Sequence, residues 1–420
     1  MKVLIVGAGA QGGPCAAILA RDRDVSEVVL ADIDIDLAKK VKAKIQSDKV
    51  LPMKVDAASA EDLKKAADGA AAIINLTLTE FDQNIMQVAL ESKAHYVDTS
   101  FGEPVLLDIR ARDNILSQII EKRPLGLDNE FKGAGLTALV GCGGSPGMVN
   151  VFARYLCDKL DHVQEIRIKC GGRSLKESEE AVTGWKPTWS PFRALWGYAV
   201  EPAVFQDGEY KRLPLFADCE EYDFLDPVGR VLISHHQHQE QITLPHFIGK
   251  GIRHCEFKYP VDVLAGAFVM MGFAKPEALD VKGVEVVPRD VLLKLVPQPV
   301  NEFLTENEET AGRPLEAFEV MLIEVRGTKS GEDLTYTITC PFRFFWNAEE
   351  KLEVYRKLGA TGIDVALPAV VGAKMCVEGE ADRGVIAAEC LDPVLFLKNM
   401  ARAGVPVRFR EECSKNVILS

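Results

Sequence analysis

The chain has 420 residues, 47% of them hydrophobic and 26% charged, with a net charge of -13. That length suits two or three domains, and the composition is that of a folded globular chain rather than a disordered one. The acidic excess argues against a nucleic-acid surface, and no apolar stretch approaches the length of a membrane span.

Met1 leads at once into an apolar run, leaving no room for a signal peptide, so a cytoplasmic protein without membrane or nucleic-acid partners is expected. The ten cysteines show no CxxC pair and no Cys/His metal spacing. They are expected as buried small hydrophobes in a reducing compartment, with no metal site.

Short apolar runs at 2–6, 27–31, 52–55, 71–76, 95–98 and 136–140 predict strands. Between them, segments such as 35–46 and 60–67 carry apolar residues at helical spacing. This rhythm predicts a parallel sheet covered on both faces over residues 1–145. From 146 to 347 the pattern changes to strands without regular crossover helices, among them 165–169 and 230–233. Runs at 318–326 and 334–339 flank Ser330-Gly331-Glu332-Asp333 and predict an antiparallel hairpin. Residues 348–420 read as a helical return onto the first unit, with helices over 361–377 and 393–403.

The first strand, Val3-Leu4-Ile5-Val6, runs directly into Gly7-Ala8-Gly9-Ala10-Gln11-Gly12 and then into a helix. Each glycine has a task there: Gly7 for a tight turn, Gly9 for close approach of backbone to a pyrophosphate, Gly12 for helix–strand packing. Ala10 and Gln11 complete the loop, and the helix N-terminus favours the phosphates. The second strand ends in Asp32, about where a ribose-binding acid belongs. The fold class is therefore α/β, an N-terminal Rossmann doubly wound parallel sheet with an inserted α+β substrate domain of mixed or antiparallel sheet.

Asp32 accepts ribose hydroxyls and repels a 2′-phosphate, and Ile33 follows it rather than Arg. NAD is thus expected over NADP. Lys39 and Lys40 are expected on the outer helix face, with Asp34 and Asp36 as turn and capping residues. Asp56-Ala57 can border the adenine. Asn75-Leu76-Thr77 and Asp98-Thr99-Ser100 end the fourth and fifth strands at the same crevice, where ligand contact and ordinary turn chemistry are both open.

Four later stretches resemble the saccharopine dehydrogenase-like family of nicotinamide oxidoreductases. They are Tyr96-Val97-Asp98-Thr99-Ser100 with Glu103-Pro104, the loop 141–147, Trp189-Ser190-Pro191, and His238-Gln239-Glu240 with Thr243-Leu244-Pro245. The resemblance implies hydride transfer at a carbon–nitrogen bond of an amino-acid or polyamine-like substrate, an imine or secondary amine, and a homodimer. It places Gly143 beside the cofactor and Ser145, Pro146 and Gly147 beside the substrate. A deaminating lysine 6-dehydrogenase-type enzyme is the alternative within enzymes, and a catalytically inactive nucleotide sensor or scaffold the alternative outside them.

Such chemistry needs both partners held face to face, water excluded and one proton moved. Arg193 can grip a substrate carboxylate bidentately, or serve a surface salt bridge, and Arg343 is a second candidate. Trp189 and Ser190 can wall the pocket, although a tryptophan is equally a core residue. His238 is the candidate proton shuttle, because imidazole titrates near neutrality. Glu240 can orient it or bind a substrate ammonium, and their i, i+2 spacing puts both on one face of a strand. His235 and His236 raise the metal question, but the cluster lacks a ligand spacing.

Overall fold

The computed structural model describes residues 1–101, 127–175, 185–187, 189–297 and 299–415. In the N-terminal part, β1 (Lys2–Val6), α1 (Gly12–Arg21), β2 (Glu27–Asp32), α2 (Ile35–Ile45), β3 (Val50–Lys54), α3 (Ala60–Ala67), β4 (Ala72–Asn75), α4 (Asp82–Glu91), β5 (His95–Asp98) and β6 (Thr137–Val140) follow in order. Successive strand residues point to opposite faces, so Val3 and Ile5 enter one core and Leu4 and Val6 the other. A strand buried on both faces must be apolar throughout, which is why these runs show no alternation.

The sheet order is β3-β2-β1-β4-β5-β6, all parallel, with a seventh strand, Gly384–Ala387, paired to β6. The order reverses between β1 and β4, and ligands bind in the crevice outside the carboxyl ends of strands at such a point. β3 is the edge strand, which is where Pro52 is tolerated and why its signal is weak.

The second sheet has nine strands. Among its described pairings only His162–Ser174 with His254–Pro260 is parallel. The predicted hairpin is present as Ala317–Lys329 and Glu332–Pro341, joined by Ser330 and Gly331 with φ of 51° and 82°. Positive φ at both turn residues matches the strand twist, so the strands reach further than predicted.

The C-terminal return corrects the helical expectation for 348–420. Helices Ala348–Leu358, Ala366–Glu378 and Pro393–Arg402 are present, and Ala366–Glu378 packs on α1, β4 and β5. However, Gly384–Ala387 completes the first sheet and Arg410–Lys415 is an edge strand of the second. A four-residue apolar run cannot be told from buried helix by periodicity, and Arg410–Lys415 is exposed along its whole length. The helix expected from 361 begins at 366, leaving Asp364 and Val365 in a turn. No helix among the described residues is long and apolar enough to cross a membrane.

Candidate active site

Between the carboxyl ends of β1–β6 and one face of the second sheet lies a cavity of about 1770 Å³. Its nucleotide half is built on the glycine turn. Gly7 has φ of 108°, and a Cβ on it would lie 2.9 Å from the Leu76 carbonyl oxygen. A Cβ on Gly12 would lie 2.1 Å from the Gly7 oxygen, whereas one on Gly9 would meet no protein atom within 4 Å. The protein itself thus demands the first and third glycines, while the second opens onto the cavity.

Gly7, Gly9, Ala10, Gln11 and Gly12 all line that cavity. Gln11 makes no side-chain cap and no acid stands in the first turn of α1, so the helix N-terminus is left for an anion. These features fit a dinucleotide. Asp32 also lines the cavity, accepting from Ala8 N at 2.7 Å and Asp34 N at 2.8 Å. Each carboxylate oxygen retains a lone pair for a ribose hydroxyl. Around it stand Ile33, Leu37, Val55, Asp56 and Ala57, none of them cationic.

Leu76, Thr77 and Thr99 line the next part of the crevice. Asn75 and Asp98 stand one layer behind it. The Asn75 amide oxygen accepts from Thr77 N at 3.0 Å and Oγ1 at 2.7 Å, while its Nδ2 donates to Asp82 at 2.8 Å and to Tyr96 Oη at 2.9 Å. Asp98 accepts from Gly141 N at 2.7 Å, tying β5 to the loop 141–147. Burial pushes the Asp98 carboxyl up to about 7 and holds Asp82 well above the carboxylate range. Strand-end residues point alternately to either side of the sheet, so end position alone does not deliver a side chain to the crevice.

In the loop 141–147, Gly143 and Gly147 turn inward against each other; a Cβ on Gly147 would lie 2.0 Å from the Gly143 oxygen. Neither lines the cavity. Their closure pushes Ser145 and Pro146 to the wall instead. Glu103 and Pro104 lie outside the described residues.

The substrate half gathers residues from distant parts of the chain. Ser145 Oγ donates to Glu240 Oε1, and His238 Nδ1 is hydrogen-bonded to Glu240 Oε2. The segment is not the expected strand: Glu240 opens the helix Glu240–Ile248, and His238 lies just before it. Glu240 is wholly buried and does not line the cavity, which removes it from direct contact with a substrate ammonium. His238 lines the cavity and stacks on Phe257 with ring centroids 4.2 Å apart. His236 is packed between Tyr198 and Tyr259, and burial pulls its imidazole down to about 3. His235 lies 3.6 Å from carboxylates of Asp218 and Glu256.

Ser190 caps the helix Pro191–Ala199, which carries Arg193 into the cavity wall. There Arg193 Nη2 donates to Ser100 Oγ at 3.1 Å, tying the helix to the segment that follows β5. Burial lowers its guanidinium, and the nearby Asp82 opposes that shift. Trp189 is 48% exposed and lines the cavity rather than a core.

Arg343 also lines the cavity, but in acidic company absent from the sequence expectation. Its Nη1 donates to Glu302 at 2.8 Å, and Asp364 lies 3.9 Å from its Nε. Burial lowers the guanidinium, but attraction to Asp364 and Glu302 overrides this and holds it above its ordinary value. Glu319, from Ala317–Lys329, faces the same space. Its only sequence signal is alternation, an acid between the buried Phe318 and Val320. Asp364 was hidden in the stretch read as helix.

The chain matches the saccharopine dehydrogenase NADP binding domain over residues 3–139 and the saccharopine dehydrogenase C-terminal domain over residues 143–405. It is 24% identical to a carboxyaminopropylagmatine dehydrogenase of Synechocystis sp., covering 96% of each chain. It is 25% identical to a carboxynorspermidine synthase of Vibrio cholerae, again over 96% of each. Its fold superimposes on apo saccharopine dehydrogenase (L-Glu forming) from Saccharomyces cerevisiae with a TM-score of 0.69 at 17% identity, covering 98% of this chain and 99% of that one. With both domains matched in order across nearly its whole length, the chain belongs to the saccharopine dehydrogenase family.

Proposed function

We propose that this protein is a nicotinamide-nucleotide oxidoreductase that moves a hydride to or from the carbon of a C–N bond in an amino-acid or polyamine-like substrate. The observation that carries it is one cavity lined both by the glycine turn and by Ser145 and His238, which the buried Glu240 joins from behind the wall. The relatives whose names denote amine-linked chemistry support the same class of substrate.

Gly9 and the α1 N-terminus would hold the pyrophosphate, Asp32 the adenosine ribose, and Leu76, Thr77 and Thr99 the nicotinamide end. The nicotinamide, when bound, supplies or accepts the hydride. In oxidation, a secondary ammonium must lose its proton before the nitrogen lone pair can expel hydride from the adjacent carbon, leaving an iminium. His238 is placed to take that proton. Glu240 accepts from Nδ1–H and so fixes the tautomer that leaves Nε2 as the base, while Ser145 holds the second carboxylate oxygen.

The absence of a cation among Ile33, Leu37, Val55, Asp56 and Ala57 beside Asp32 favours NAD over NADP. A homodimer is supported by the apolar residues Val263, Met270, Met271, Leu279, Val284 and Leu295, all more than half exposed. The exposed thiols of Cys219 and Cys413 suit the reducing cytoplasm. NADH titration followed by tryptophan fluorescence tests the cofactor. A screen of secondary amines, and of amine plus aldehyde pairs, for absorbance change at the reduced-nicotinamide band tests the reaction. Tight cofactor binding with no turnover across that screen would overturn the proposed chemistry.

A further inference from the structure

Glu302, Glu319 and Asp364 all line the cavity around Arg343, three carboxylates to one guanidinium. Only Glu302 is within hydrogen-bond distance of it, at 2.8 Å. Lys351, which feels the charges of Arg343 and Glu302, does not line the cavity and donates to the Thr310 carbonyl at 3.2 Å, while the buried Glu306 adds a further acid beside it. A substrate carboxylate brought to Arg343 would meet an excess of like charge.

Among the described residues, two of these acids receive no side-chain hydrogen bond from another residue. The Asp364 side chain is only 10% exposed, lines the cavity, and accepts no hydrogen bond from another of the described residues; Arg343 Nε, at 3.9 Å, pairs with it by charge from beyond that reach. Glu319 likewise accepts none. It stands opposite Gly172 in the sheet, and a Cβ on Gly172 would lie 3.3 Å from its Cγ, so the glycine leaves open space beside the carboxylate. Phe257, Tyr259 and Phe342 line the same cavity. Carboxylates framed by aromatic faces form an environment for an ammonium or guanidinium group. The protein around them raises both carboxyls above their ordinary range, and a bound cation reverses that shift.

We infer that Glu319 and Asp364, with Glu302, bind a cationic end of the substrate, so that the amine partner is a diamine or guanidino-amine rather than an α-amino acid. This rests on the C–N oxidoreductase function proposed above. It assigns Glu319 as a specificity-determining residue, with the carboxylate-bearing arm directed toward Arg193 on the same cavity wall. An α-amino acid would bring its own carboxylate against the acids, whereas a diamine or agmatine presents only cation there.

The test uses the full-length protein loaded with NAD, titrated calorimetrically with propane-1,3-diamine, butane-1,4-diamine, agmatine and glutamate. The same amines are then assayed for NADH oxidation with succinic semialdehyde. Diamines or agmatine are expected to bind and turn over, and glutamate to do neither. Glu319→Gln should weaken their binding and raise KM about ten- to a hundredfold, the worth of a charge-assisted contact, with kcat little changed. Asp364→Asn should act in the same direction, and Glu319→Asp should recover part of the affinity. Unchanged NADH affinity in each variant reports an intact fold. Glutamate turned over while the cationic amines fail would overturn the assignment and leave the C–N chemistry standing. Equal effects of Glu319→Gln on both amine classes would also overturn it. Failure of every amine class, with NADH still bound, would overturn the C–N function as well.

Discussion

Gly9 and Gly12 differ by three positions in one turn, yet alanine at each should produce opposite phenotypes. A methyl at Gly12 would lie 2.1 Å from the Gly7 carbonyl oxygen, and that oxygen belongs to backbone that cannot swing away. Helix α1 must therefore shift off β1, at an overpacking cost of about 1–3 kcal/mol in stability. A methyl at Gly9 would meet no protein atom within 4 Å, and Gly9 is outside the left-handed region. The free protein should be unchanged or gain up to about 1 kcal/mol from the restricted unfolded chain. The same methyl stands in the space through which a pyrophosphate must approach. Overpacking of about 1–3 kcal/mol then falls on the complex alone, roughly 5- to 150-fold weaker NADH binding. Thermal melts of the two apo variants, paired with NADH titration, separate the effects. A Gly9→Ala protein that melts as early as Gly12→Ala, or binds NADH like the wild type, would refute the assignment of the second glycine to the phosphates.

Asp32→Ala should weaken NADH by about tenfold and leave NADPH nearly unaffected or improved, because only the 2′-phosphate gains from losing the carboxylate; Kd values for both cofactors check this. Glu240→Gln should lower kcat by roughly 10²–10⁴ with little change in NADH affinity, because the amide no longer holds His238 in one tautomer, and the pH profile of kcat should lose a limb. Glu389, fully buried and bonded by Asn150 at 3.0 Å, is pushed by burial up to about 7. A carboxyl raised in the folded state favours folding at low pH and loses that contribution as pH rises from its unfolded value of about 4.3 through about 7. Glu389→Gln should therefore remove up to about 3 kcal/mol of the stability decline over that window. Melting temperatures of both proteins at pH 5 and pH 8 measure it, and parallel profiles would count against the buried-acid argument.

What was legible follows from how far each signal travels along the chain. β1, β2 and β4 announce themselves because burial on both faces leaves an unbroken apolar run inside each, with polar residues only at the strand ends, and the glycine turn is complete within residues 7–12. β3 is blurred by Pro52 at the sheet edge, while Gly384–Ala387 takes its place only by pairing with β6, nearly 250 residues earlier. The site is less legible for the same reason. Ser145 and Glu240 are 95 residues apart, Arg193 and Ser100 are 93 apart, and no local pattern encodes either meeting. The His238 and Glu240 pairing was expected on the wrong element. They nevertheless meet, because a residue just before a helix and the first residue of that helix are close in space as well as in sequence.

The two arginines make the limit concrete. Each entered as a cation near a pocket motif, and sequence offered the same carboxylate-binding argument for both. Arg193 comes to rest against the Ser100 hydroxyl, near an Asp82 whose carboxyl burial drives toward the neutral form. Burial thus weakens the attraction of Asp82 for the Arg193 guanidinium. Arg343 meets Glu302 from 41 residues before it, Asp364 from 21 after it, and Glu319 from the strand Ala317–Lys329. The sign of a binding subsite is set by the sum of charges that the fold delivers to it. A substrate spanning both arginines should accordingly be anionic at one end and cationic at the other, which neither motif could have announced alone.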